Sequence, residues 1–208
     1  MMVATLAIMF AGFLRFDDAA EICVHSDLLI IMDTHMKVFI PRSKTDQLMT
    51  GSWVTIARVD GPCCPVGLTE RLLSRGGYKR LPDTAGEDVG PLLRAVQWTR
   101  AGGRLSGPPS VAPGQRLYSL WYSAFWTRLQ KVKPSAGISE FVKPHSARIG
   151  GNSTAARNGV PAELRQAHGR WRTSEMVHHY TRRDLPSKLE VTRRLGLASK
   201  LSLRSAVL

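Results

Sequence analysis

The first fourteen residues, Met1 to Leu14, are apolar apart from Thr5 and Gly12, and Arg15 ends the run. A helix built from them has no polar stripe to turn toward water, so it has to be buried on most sides. The run is too short to cross a bilayer. It also lacks the basic residues that open a signal peptide, which is the alternative reading. It therefore reads as a core helix over Met2–Leu14, around which the remaining elements pack.

The elements that follow are legible from pattern. Ala19 to Val24 suits a short helical turn. Leu28–Asp33 (LLIIMD) and Lys37–Pro41 (KVFIP) are β-rich runs forming a hairpin-like pair, and Ser52–Arg58 gives a third strand. Between the last two lies the polar turn SKTDQLMTG, which holds Lys44. Pro65 to Arg75 suits an amphipathic helix stopped by Gly76 and Gly77. Residues 78–114 are rich in Gly, Pro, Asp and Arg and read as a long surface loop, with PLLRAVQW as one strand-like piece. Leu117–Val132 reads as a helix with Trp121, Phe125 and Leu129 on one face. Leu185 to Leu195 suits a last helix before a basic tail.

Pro144 to Tyr180 reads PHSARIGGNSTAARNGVPAELRQAHGRWRTSEMVHHY. His145 and Arg148, three apart, share one face of a helix that Pro144 opens and Gly159 stops. A second helix is expected from Pro161 to about His168. A third starts at Thr173 or Ser174 and carries Tyr180 in its last turns. An Arg fork binds two phosphate oxygens, imidazole and indole donors can complete a cage around them, and a phenol can act as nucleophile. A phenol ionises near ~10, so it needs help to lose its proton. Taken singly, Trp171 and Tyr180 read as core aromatics and His145 with Arg148 as a solvated face. AARNGVPAELRQA also has a helix-turn-helix outline with Gly159 in the turn, so a non-catalytic DNA-binding module is the alternative from another class.

Charge narrows the partner. The chain carries a formal charge of +13, and residues 142–208 hold 13 Lys/Arg against 4 Asp/Glu. That concentration is the footprint of a polyanion. Three cysteines, Cys23, Cys63 and Cys64, are too few for a disulfide framework and form no C-x-x-C, which fits a reducing compartment. His168, His178 and His179 have no acidic or thiolate ligand at useful spacing, so neither a metal nor a cofactor is expected.

The joint spacing in the last third resembles the C-terminal catalytic box of the tyrosine recombinases (phage integrases). His145-Ser-Ala-Arg148 matches the family's H-x-x-R. Trp171 follows Arg148 by 23 residues, and Tyr180 follows Trp171 by 9. HSARIGG followed by AARNGVP is similar to that helix in wording. Upstream, Arg15 in GFLR resembles the first catalytic arginine. Lys44, 29 residues later, stands in the turn where the family keeps its catalytic lysine. Asp18 takes the place of an acidic residue, usually Glu, that orients the cations, and His168 is the alternative to Trp171.

The resemblance implies an α+β fold, mainly helical, with a small three-stranded antiparallel sheet. It implies one catalytic domain over residues 1–196 and a basic tail over 197–208. The family's N-terminal DNA-binding domain is expected to be missing, which leaves a truncated or decayed mobile-element recombinase as an alternative. The implied partner is double-stranded DNA, bound by a tetramer of the chain across two duplexes, inside the cell and away from membranes. In the implied chemistry Arg15 and Arg148 hold the scissile phosphate, His145 moves a proton, and Trp171 donates its indole N–H. Lys44 protonates the departing 5′ oxygen, and Tyr180 attacks.

Overall fold

A computed structural model describes residues 1–42, 50–100, 102–183 and 185–195. The first helix, α1 (Met2–Ala11), is built into the core on one side but leaves Val3 and Phe10 exposed, so it is less covered than expected. Its Ala4, Ile8 and Met9 are buried, and it packs against α3 (Pro65–Gly76), α4 (Tyr122–Val132) and α5 (His145–Arg157). Beside it stands an antiparallel sheet in the order β1 (Leu29–Ile31), β2 (His35–Ile40), β3 (Ser52–Ala57). Strand alternation sends Met36, Val38, Ile40, Val54 and Ile56 inward. The register pairs Val38 with both Leu29 and Val54, which puts one apolar ladder on the core face. The mixed architecture with a three-stranded antiparallel sheet is the expected one. Among the described residues, no helix is long and apolar enough to cross a membrane.

The end of α1 is set by backbone geometry. Gly12 caps it, and Phe13 takes a left-handed conformation at φ 49°. The helix therefore stops at Ala11, short of the expected Leu14, and the chain turns into α2 (Phe16–Ala20), which starts before the expected Ala19. The helix after the loop starts at Tyr122, later than the expected Leu117. Trp121 is 79% exposed and lies outside the apolar face made by Phe125 and Leu129.

The larger correction concerns residues 78–114. This stretch is irregular but packed, not a surface loop. Val89, Leu92 and Leu93 belong to the core. Backbone bonds hold them there: the Leu92 N–H donates to the Ile22 carbonyl at 2.7 Å, and the Val24 N–H to the Gly90 carbonyl at 3.1 Å. Burial of three apolar side chains contributes several kcal/mol, at roughly 1.5–3 each. The stretch also carries an antiparallel pair, β4 (Val96–Thr99) and β5 (Gly102–Leu105), so only the end of PLLRAVQW is strand. The remaining helices are α6 (Ala162–Gly169), α7 (Ser174–His179) and α8 (Leu185–Arg193). The last ends two residues before the expected Leu195. The tail over 197–208 lies outside the described residues.

The approach of α5 to the end of α1 depends on one glycine. A Cβ on Gly151 would sit 2.1 Å from the Phe10 carbonyl oxygen, whereas one on Gly150 would meet only the edge of the Phe10 ring, at 3.3 Å. Alanine in a helix gains roughly 1 kcal/mol over glycine. Gly150→Ala should therefore be neutral or stabilising. Gly151→Ala should cost about 3 kcal/mol, because backbone cannot move aside as a side chain can. Urea denaturation of both variants checks this; equal stabilities would show that α1 and α5 are not in such close contact.

Candidate functional site

The site is assembled at the turn after α1. The Arg15 N–H donates to Asp18 Oδ2 at 2.9 Å, which fixes the first turn of α2. Asp18 is 2% exposed. The same oxygen lies 3.4 Å from Arg170 Nη2 and 3.7 Å from Arg148 Nη1. A buried carboxylate is costly unless it is paired, and here cations from α5 and from the end of α6 pair with it.

Arg148 is 1% exposed and spans the two ends of the chain. Its Nη1 donates to the Phe13 carbonyl and its Nη2 to the Gly169 carbonyl, the latter at 2.9 Å. The left-handed turn at Phe13 aims that carbonyl inward. The guanidinium carbon sits 4.7 Å from the Trp171 ring centroid and 5.4 Å from that of Tyr180. Burial, and next the Arg15 charge, push Arg148 down to about 10. It stays charged at neutral pH.

Trp171 is buried and stacks on Tyr180, with centroids 5.4 Å apart and an interplanar angle of 18°. His145 meets Tyr180 edge-on at 5.3 Å. Tyr180 itself caps α7, one residue beyond its last turn, rather than lying within it. Its position is set from α5. Asn152 donates to the Val177 carbonyl at 3.1 Å, and Ser153 to the Tyr180 carbonyl at 3.4 Å. The buried Arg165 donates to Asn152 Oδ1 at 3.1 Å.

The fold thus brings Arg15, Asp18, His145, Arg148, Trp171 and Tyr180 together. Lys44 lies outside the described residues. His168 is turned away, with its Nε2–H on the Ala11 carbonyl at 2.7 Å and its ring against Phe13. Arg170 joins the group although sequence reasoning passed over it. It takes a left-handed conformation at φ 54°, where glycine would be usual, so neither a helix face nor a propensity signals it. Phe13 and Arg170 are the two non-glycine residues with positive φ among those described, and both flank this site.

Several donors point to an anion. Of the buried side-chain donors without a hydrogen-bond partner among the described residues, Arg148 Nε, Arg170 Nε and Nη1, and Trp171 Nε1 are here, and Arg58 Nε and Arg94 Nη1 lie elsewhere. Buried donors left unpaired are unfavourable, so a site with four of them suits an acceptor-rich ligand such as a phosphodiester. The helix-turn-helix outline, by contrast, offers little to DNA. Arg165 and His168 of α6 are committed inward, and its exposed face shows Glu163, Leu164 and Ala167.

His145 is held below the ordinary histidine value, first by burial and then by Arg148 and Arg15. It is therefore neutral at pH 7 and can accept a proton. Between its folded value and ~6.5 the unfolded chain binds more protons. Stability should then fall as pH drops through that window and be unaffected by His145 above it. Melting His145→Gln and wild type from pH 7.5 to 5 checks the sign; identical slopes would mean His145 is not shifted.

The fold defined by these elements is that of the catalytic domain of tyrosine recombinases. No protein-family model and no curated protein matches the chain by sequence. Among solved structures, XerA recombinase superposes with a TM-score of 0.60 at 12% identity, over 92% of this chain and 57% of its own. XerH site-specific recombinase in its post-cleavage complex with palindromic difH substrate gives 0.57 at 12%, over 92% and 44%. XerH in its pre-cleavage complex with difH gives 0.54 at 13%, over 93% and 46%. At these identities the likeness is one of fold. The chain spans about half the length of the recombinases it matches.

Proposed function

We propose that this chain is the strand-cleaving and rejoining unit of a tyrosine-type site-specific DNA recombinase. The observation that carries the proposal is the set of unpartnered N–H donors on Arg148 and Trp171, both buried against the ring of Tyr180. A phosphodiester seated on them places its phosphorus beside the phenol.

In the proposed reaction the Tyr180 oxygen attacks phosphorus and its proton passes to His145. The bond from phosphorus to the 5′ oxygen breaks, and that oxygen takes a proton, a role Lys44 would fill. The products are a 3′-phosphotyrosyl link and a free 5′ hydroxyl. A 5′ hydroxyl from a second strand then attacks the link and releases Tyr180. Each step exchanges one phosphodiester for another, so the balance contains neither water nor a nucleoside triphosphate. Arg15, Arg148 and Arg170 neutralise the charge that gathers on the non-bridging oxygens. Asp18 holds those cations in place. The proposal places the protein with DNA inside the cell, acting as an assembly of copies on two duplexes.

The test uses suicide duplexes with randomised arms, nicked so that the cleaved 5′ fragment is lost. A denaturing gel should show a protein–DNA adduct joined at a 3′ end, and the released fragment should carry a free 5′ hydroxyl. Arg148→Ala should lose far more adduct than binding, since it removes one phosphate contact among many. Equal losses of both would reduce Arg148 to a docking residue.

A further inference from the structure

We propose that Cys23, His25 and Asp88 form a zinc site that clips the end of α2 to the irregular segment after α3. Cys23 Sγ, a ring nitrogen of His25 and a carboxylate oxygen of Asp88 lie within 4.8 Å of one another. Tetrahedral zinc, with bonds of ~2.0–2.3 Å, keeps its ligand atoms roughly 3.3–3.8 Å apart. Side-chain shifts of about an ångström therefore close the shell.

The imidazole is already oriented for this. His25 is 4% exposed, and its Nδ1 lies 3.0 Å from the Leu81 carbonyl oxygen. A carbonyl can only accept, so Nδ1 carries a proton and Nε2 is the ring nitrogen left for a metal. A backbone carbonyl on the far nitrogen is the usual support of a metal-bound histidine. Nε2 in turn lies 3.6 Å from Asp83 Oδ1.

Asp88 is held just as firmly. Its Oδ1 accepts from the Gly90 N–H and its Oδ2 from the Leu117 N–H, both at 2.7 Å, and each oxygen keeps a lone pair. The Cys23 thiol donates to the Gly90 carbonyl at 3.3 Å, and burial raises its pKa. Zinc would displace that thiol proton to solvent and bind the thiolate. Water supplies the fourth ligand. One sulfur, one nitrogen and one carboxylate oxygen suit zinc better than magnesium or calcium. A cavity of 440 Å³, lined in part by Cys23 and Asp88, gives the ion a way in. Sequence spacing hides the set, because Asp88 lies 63 residues beyond His25. The site would brace α2, which begins at the Arg15–Asp18 turn, and it does not depend on the recombinase reading.

The test uses the untagged full chain, loaded with zinc or cobalt and freed of excess metal. A double variant, Cys63→Ser with Cys64→Ser, leaves Cys23 as the sole thiol. It should retain about one zinc per chain by elemental analysis. With cobalt it should show a near-ultraviolet thiolate charge-transfer band, and adding Cys23→Ser should remove that band. Zinc should also raise the melting temperature of the wild type, and a chelator should reverse this. No retained zinc in the double variant, or a cobalt complex without the thiolate band, would overturn the proposal.

Discussion

Tyr180→Phe should reduce the covalent protein–DNA adduct to background while leaving duplex binding close to that of the wild type. The ring stacks on Trp171 and meets His145 edge-on, and phenylalanine preserves both contacts. The substitution removes only the oxygen proposed to attack. Removing the nucleophile of a covalent catalyst costs factors of ~10⁴–10⁶ in rate, whereas duplex affinity is spread over many phosphate contacts. A labelled suicide duplex run on a denaturing gel gives the adduct, and a mobility shift gives the binding. An adduct that persists in Tyr180→Phe would move the nucleophile elsewhere. If wild type also forms none while binding DNA, the chain is a decayed recombinase that has kept the fold without the reaction.

The second large effect is expected on stability. Asp18→Ala should cost about 3–5 kcal/mol, because it strips the counter-charge from an arginine that is 1% exposed. Arg170 loses the same partner, and the Arg15 N–H loses its acceptor. Asp18→Asn keeps the size of the side chain and one acceptor, so its loss should be smaller. Added sulfate or phosphate should restore more stability to Asp18→Ala than to wild type, since an anion on the orphaned donors replaces the missing charge. Urea melts with and without the anion measure this. A cost below about 1 kcal/mol would mean that the carboxylate is solvated and does not organise the site.

How much of this was legible depended on where the physical signal lay. The sheet was readable because Met36, Val38 and Ile40 alternate with half-buried neighbours. The first helix was readable because no charged residue interrupts it. Arg15, Asp18, His145, Arg148, Trp171 and Tyr180 were singled out by resemblance to family motifs, and the fold brings these distant positions together. The stretch over 78–114 was misread because its burial comes from backbone pairing with residues 22–24, which leaves no periodicity in the local text. Trp121 was misplaced for a related reason. The Leu120 N–H donates to the Leu93 carbonyl at 2.7 Å, so the chain there is held extended and the helix cannot begin earlier. Arg170 escaped because its role follows from a left-handed backbone that no arginine announces.

The grip of Arg148 on the Phe13 and Gly169 carbonyls has a consequence for biosynthesis. The α1 helix leaves the ribosome before α5 does, and the surface that covers it on the α5 side is made more than 130 residues later. At ~5–20 residues per second, that delay is on the order of ten seconds. Throughout it a strongly apolar helix waits for its partner, which makes the nascent chain a client for chaperones. The same delay means that the arginine, the carbonyls that hold it and the tyrosine meet only once Tyr180 has been made.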